Sequence, residues 1–108
     1  MIRARFGDRS LTVTGHAGTA PHGEDLVCAA VSILVYTLAS RLYEIEDRME
    51  AKGDPFEAII SLEPGNAKLK WSRETVEVKL LIHTIQTGLV LLMEKHPENI
   101  RIELPGEG

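Results

Sequence analysis

Ile2, Ala4 and Phe6 alternate with Arg3 and Arg5, and Leu11 and Val13 alternate with Thr12 and Thr14 on the far side of Gly7-Asp8-Arg9-Ser10. Apolar residues at every second position turn one face of a strand towards a core, so the first fourteen residues predict a β-hairpin. Gly15 ends the second strand. Gly18, Pro21 and Gly23 follow among small residues that sustain neither the strand nor the helix period, which predicts a mobile loop. From Glu24 the period becomes helical, with acidic residues in the first turn and a stop at Gly53-Asp54-Pro55. An unbroken helix of that span would be about 43 Å long at 1.5 Å per residue, longer than a small domain is wide, which predicts a bend or break near Ser40.

After Pro55 the pattern predicts a strand over 56–63, a turn at Pro64-Gly65-Asn66 and a partner strand over 67–71. Val78, Leu81, Ile82, Ile85, Leu89 and Leu92 keep helical spacing, so a helix capped by Ser72 is expected to run to about Lys95. Thr75 to Leu80 also alternates as a strand would, which leaves the start of that helix open by several residues. Gly88 within it predicts close helix packing. His96-Pro97 closes the helix, and Ile100, Ile102 and Leu104 share one face of a last strand. The order ββαββαβ predicts an α+β fold: one two-layer domain over residues 1–108, a mainly antiparallel sheet with two helices packed on one face, and a loose tail from Pro105.

The stretch from Leu26 to Ala39 is apolar around nearly its whole circumference, and a two-layer domain of this size covers only one side of it. A second subunit covering the other side is expected, giving a homodimer through that helix. Ser32 and Thr37 interrupt the stretch, which falls short of the roughly 20 residues of a membrane span. The charged N-terminus, Met1-Ile2-Arg3-Ala4-Arg5-Phe6, lacks the apolar core of a secretory signal, so a cytoplasmic protein is expected. With 44% hydrophobic and 26% charged residues the composition is that of a globular protein. A net charge of −4 argues against a surface built mainly to neutralise phosphates, so no direct nucleic-acid contact is expected.

Chemistry concentrates where the glycine-rich loop enters the first helix. Cys28 is the only cysteine, so it cannot form an intramolecular disulfide. It lies near the predicted helix start, where unpaired N–H groups and the macrodipole favour an anion, the form in which a thiol attacks a carbonyl. His16, twelve residues earlier, opens the loop, and a loop return would bring its imidazole to the thiol as general base and then acid. The same amides could contribute to an oxyanion hole. Asp25 and Ser32, at i−3 and i+4, fall on the same helical face as Cys28. Asp25 could orient the histidine or simply favour the first turn, and Ser32 could hydrogen-bond the site or its own i−4 carbonyl.

Plainer roles compete. A cysteine among Ala, Val and Leu is commonly core packing, and a histidine in a glycine-rich turn is commonly solvated. His22 is a rival base, nearer to Cys28 in sequence. Cys28 with His16 and His22 lacks the paired spacing of a structural zinc site, and His83 and His96 are distant, so neither metal nor cofactor is expected.

Taken together, Gly15-His16-Ala17-Gly18, Gly23-Glu24-Asp25 and Val27-Cys28-Ala29-Ala30-Val31-Ser32 resemble the bacterial ribosomal-processing cysteine protease family, Prp. The similarity continues through the second hairpin, Gly88-Leu89 and His96-Pro97-Glu98-Asn99-Ile100. His22 stands where the family often has an aromatic or polar residue, and Leu26 where isoleucine is common. The resemblance implies a cysteine endopeptidase that removes the N-terminal extension of a large-subunit ribosomal protein, the twenty-seventh in the bacterial series. It implies Cys28 as nucleophile, His16 as its partner, Asp25 and Ser32 in support, and a dimer of similar two-layer fold. Gly18, Pro21, His22 and Gly23 would belong to a loop that closes over substrate. A different class also fits: a non-catalytic dimeric ribosome-assembly or peptide-binding module with Cys28 buried. A third possibility, another Cys-His acyl hydrolase or transferase, keeps the dyad and changes the substrate.

Overall fold

The structure is a computed structural model that describes residues 1–15 and 22–105, with side chains described from residue 26 onward in the second segment. The elements are β1 (Ile2–Gly7), β2 (Ser10–Thr14), α1 (His22–Ala51), β3 (Ala58–Glu63), β4 (Asn66–Trp71), α2 (Val76–Lys95) and β5 (Ile100–Glu103). Five strands form one sheet in the order β3-β4-β2-β1-β5, antiparallel except for the parallel β1–β5 pair. The expected α+β order and the mainly antiparallel sheet are both observed, and both helices lie on one face of it.

Alternation along the strands decides which face that is. Ile2, Ala4 and Phe6 of β1, Leu11 and Val13 of β2, Leu69 and Trp71 of β4, and Ile100 and Ile102 of β5 are all buried. They meet Val27, Val31, Val35, Leu38, Leu42 and Ile45 of α1 and Val78, Ile82, Ile85 and Leu89 of α2 in a single core. Burying a side chain of this size contributes about 1.5–3 kcal/mol, so this shared core is the main favourable term holding the layers together. By length and composition both helices are apolar enough to cross a membrane, yet each gives one stripe to the sheet.

The expected break at Ser40 does not occur. α1 runs unbroken for 30 residues, about 45 Å at 1.5 Å per residue, and the molecule is 49 Å in its longest dimension. No glycine or proline interrupts residues 24–52, and Ser40 faces solvent. Length is tolerated because the helix spans the molecule's long axis. It stops where expected: Gly53 has φ +72°, its N–H donates to the Glu50 carbonyl (3.0 Å), and the Asp54 N–H reaches back to Met49 (2.9 Å). These are the two bonds of a Schellman cap, whose left-handed residue is best supplied by glycine.

Three other boundaries moved. Thr75, not Ser72, caps α2, its hydroxyl accepting from the Val78 N–H at 3.2 Å. Ser72 instead ties β4 to the approach to β3: its hydroxyl accepts from the Glu57 N–H (2.8 Å) and its own N–H donates to the Glu57 carbonyl (3.0 Å). β3 begins at Ala58 rather than Phe56, because Phe56 turns into the core and the Ala58 N–H is taken by the Glu46 carboxylate of α1 at 2.7 Å. α1 begins at His22, two residues ahead of the expected start. Pro21, just before it, is a residue type that favours helix entry, a signal masked by the surrounding glycines.

The helices touch where Gly88 of α2 faces Leu34 of α1; a Cβ at Gly88 would stand 3.0 Å from a Leu34 methyl, so the absence of a side chain sets the approach. Near the other end Arg48 of α1 pairs with Glu77 of α2 through both guanidinium nitrogens. That hydrogen-bonded pairing holds the Glu77 carboxyl below its ordinary range and raises the Arg48 guanidinium.

Candidate active site

Cys28 lies on the side of α1 that leans over the β3–β4 hairpin. It is half-buried and forms part of the wall of an open cleft of about 250 Å³. Ser32 and Tyr36, one and two turns further on, share this wall as their i+4 and i+8 spacing dictates. Leu62, Glu63 and the turn Pro64-Gly65-Asn66 face them, and Ile2, Val13 and Gly15 form the end of the cleft. A thiol and a hydroxyl thus meet an apolar trough, a suitable surface for an extended peptide.

Gly15 joins β2 to the residue after it with little freedom. Its N–H donates to the Gly65 carbonyl at 3.0 Å, its φ is +101°, and a Cβ there would overlap the Met1 carbonyl oxygen. Only glycine fits without displacing backbone. The residue immediately before His16 is therefore fixed in the wall that Cys28 also lines.

His16, Gly18 and Pro21 lie outside the described residues. His22, Gly23 and Asp25 belong to the first turn of α1, which corrects the assignment of His22 and Gly23 to the loop. The early start also moves Cys28 away from the helix terminus. The amides without an intrahelical acceptor precede residue 26, whereas the Cys28 N–H falls within the helical ladder. The dipole's influence falls off within one turn, so it reaches Cys28 more weakly than the expected start at Glu24 implied.

Ser32 is exposed on the cleft wall. Tyr36 was missed by sequence reasoning although its helical register with Cys28 was available. The hairpin turn at 64–66 was expected as a turn, but its place in the cleft follows only from the β2–β4 pairing, in which Thr14 stands opposite Asn66.

A family model described as cysteine protease Prp matches residues 1–101. The chain belongs to that family. Among solved structures it is similar to the ribosomal processing protease Prp of S. aureus. With a substrate peptide bound, that structure has a TM-score of 0.73 at 18% identity, covering 96% of this chain and 99% of that one. With a covalently linked product peptide the TM-score is 0.72 at 19% identity, with the same coverage. SMU.848 from Streptococcus mutans is 30% identical with a TM-score of 0.64, over 97% of this chain and 94% of that one. No curated protein gives a significant match. This Prp-family chain is a cysteine protease with the two-layer fold shared by these relatives.

Proposed function

We propose that the protein removes the N-terminal extension of a bacterial large-subunit ribosomal protein, the twenty-seventh in the series, in the cytoplasm. Cys28 is the nucleophile. Its Sγ bonds to the scissile carbonyl carbon while His16 takes the thiol proton. His16 then gives that proton to the leaving amine as the peptide C–N bond breaks, and water, deprotonated by the same imidazole, releases the acyl group and restores the thiol. Asp25 and Ser32 support the pair from the same face of α1. Residues 17–21 close over the substrate, with Gly18 supplying freedom to move. Neither metal nor organic cofactor enters these steps.

The observation that carries this proposal is the position of Cys28 on an open cleft wall shared with Gly15, the residue that precedes His16. Cys28 packs partly against the core, yet it also borders the solvent-accessible space of the cleft. The S. aureus Prp structures with substrate and product peptides support a peptide as the occupant.

A homodimer belongs to the same proposal. Leu26, Ala29, Ile33, Tyr36, Ser40 and Tyr43 are exposed along α1 at alternating spacings of three and four, the spacing of a seam between packed helices. Leu26 is 70% and Ile33 62% exposed.

Mass spectrometry of the host's ribosomal protein precursor, incubated with wild type and with Cys28→Ala, tests the assignment. One cut near the precursor's N-terminus by the wild type alone is expected. Cleavage by Cys28→Ala would refute the nucleophile, and no cut by a folded wild-type protein would return the binding-module alternative. Gly18→Pro is expected to lower turnover with the fold intact; unchanged turnover would refute loop closure.

A further inference from the structure

The sheet face turned away from the helices segregates charge. Pairing registers place Arg3 and Arg5 of β1, Arg101 and Glu103 of β5, Lys68 and Lys70 of β4 and Glu63 of β3 on that face. Among the described strand residues this face carries five lysines and arginines against two acids. A protein of net charge −4 thus presents one positive plane. Arg5 is tied to Glu103 at 2.7 Å, and Arg3 approaches the same carboxylate at 3.8 Å. Lys68, Lys70 and Arg101 are exposed and have no ion pair among the described residues.

We infer that this plane docks on the phosphate backbone of duplex RNA. Between the cations stand Ser10, Thr12, Thr14, Ser61 and Asn66, hydroxyl and amide side chains of the kind that donate to phosphate oxygens. Protein partners are met through an apolar centre, and here, among the described residues, the only large apolar side chain is Ile59 on the outermost strand. Single strands are held by aromatic stacking, and no aromatic residue lies on this face among the described residues. An array of cations and hydroxyls held on paired strands instead suits a backbone read by shape. Lys68 and Lys70 are two residues apart on one strand, about 6.7 Å, and Arg5 is two strands from Lys68, about 9.5 Å. Docking of this kind would hold the protease against ribosomal RNA beside its substrate, a consequence that rests on the proposed function; the binding itself does not.

Fluorescence anisotropy with a mixed-sequence RNA duplex tests the inference. Three cations free for phosphate predict a slope of log K against log salt of about −2.7, or roughly 40-fold weaker binding between 50 and 200 mM salt. The double variant Lys68→Gln/Lys70→Gln should cut that loss to roughly fourfold and leave precursor cleavage unchanged. Arg101→Gln gives an independent reduction of the slope by about one. Absence of RNA binding at low salt, or a slope unaffected by both variants, overturns the inference. So does tighter binding to polyglutamate or to anionic vesicles than to the duplex. RNA binding without precursor cleavage leaves it standing and counts against the peptidase proposal alone.

Discussion

Ile33→Ala provides the sharpest test of the seam along α1. The substitution removes three carbons, worth about 2.4 kcal/mol if wholly buried at roughly 0.8 kcal/mol per methylene. The isolated chain leaves Ile33 62% exposed, so association transfers only that fraction, about 1.5 kcal/mol per protomer. Two-fold symmetry places every substitution in the interface twice, so the dimer loses about 3 kcal/mol. At 1.4 kcal/mol per tenfold, the dissociation constant rises roughly 100-fold. Sedimentation velocity over a concentration series measures this directly. The melting temperature at concentrations where both proteins are monomeric should change little, because the side chain contributes little to the core. Ile59→Ala, 59% exposed on the open face of the sheet, serves as the control and should leave association unchanged. A wild type that is monomeric throughout, an unchanged constant for Ile33→Ala, or equal weakening by Ile59→Ala would refute the seam.

Gly15→Ala should destabilise the protein by about 1–3 kcal/mol, because a residue with a Cβ must be strained into positive φ beside the Met1 carbonyl; denaturant unfolding reads the loss, and wild-type stability would refute it. Thr75→Ala should cost about 1 kcal/mol through loss of the cap, with Ser72→Ala leaving the start of α2 unaffected in amide exchange. The lowered Glu77 carboxyl fixes a sign for pH dependence. Its folded value lies below the unfolded 4.5, so its stabilising contribution is complete above the unfolded value and is lost as pH falls through the folded one. Thermal melts of wild type and Glu77→Gln should therefore differ at neutral pH and converge on acidification below 4.5, and a gap that widens in acid would contradict the pairing with Arg48.

Much of this fold was legible because its signals are local. Alternation in β1, β2 and β4, the Gly53 stop and the helical spacing of Val78, Ile82, Ile85 and Leu89 each depend on neighbours within one or two turns. What escaped depended on distant partners. Ser72 has the composition of a cap, but its hydroxyl is engaged by the Glu57 N–H across the hairpin, and Thr75 takes the role. Ser40 sits where a compact domain would bend its helix, yet nothing in the backbone obliges it to. Strand order, and with it the parallel β1–β5 pair, arises only from packing. At the candidate site the register of Cys28 and Ser32 followed from spacing alone, whereas the wall opposite them required the pairing of Thr14 with Asn66. Net charge carries no record of placement, because it sums over a surface on which the sheet has sorted the signs.

Tyr36 has two roles in the proposed assembly. Its side chain lines the cleft beside Ser32 and also lies in the exposed seam of α1. A partner seated on the seam therefore meets the cleft wall, and the association and substrate equilibria share a side chain. Reciprocity then constrains them: if substrate tightens the dimer by some factor, dimerisation tightens substrate by the same factor. Specific activity would then depend on enzyme concentration, and the protease would be most responsive where its own copies are most abundant.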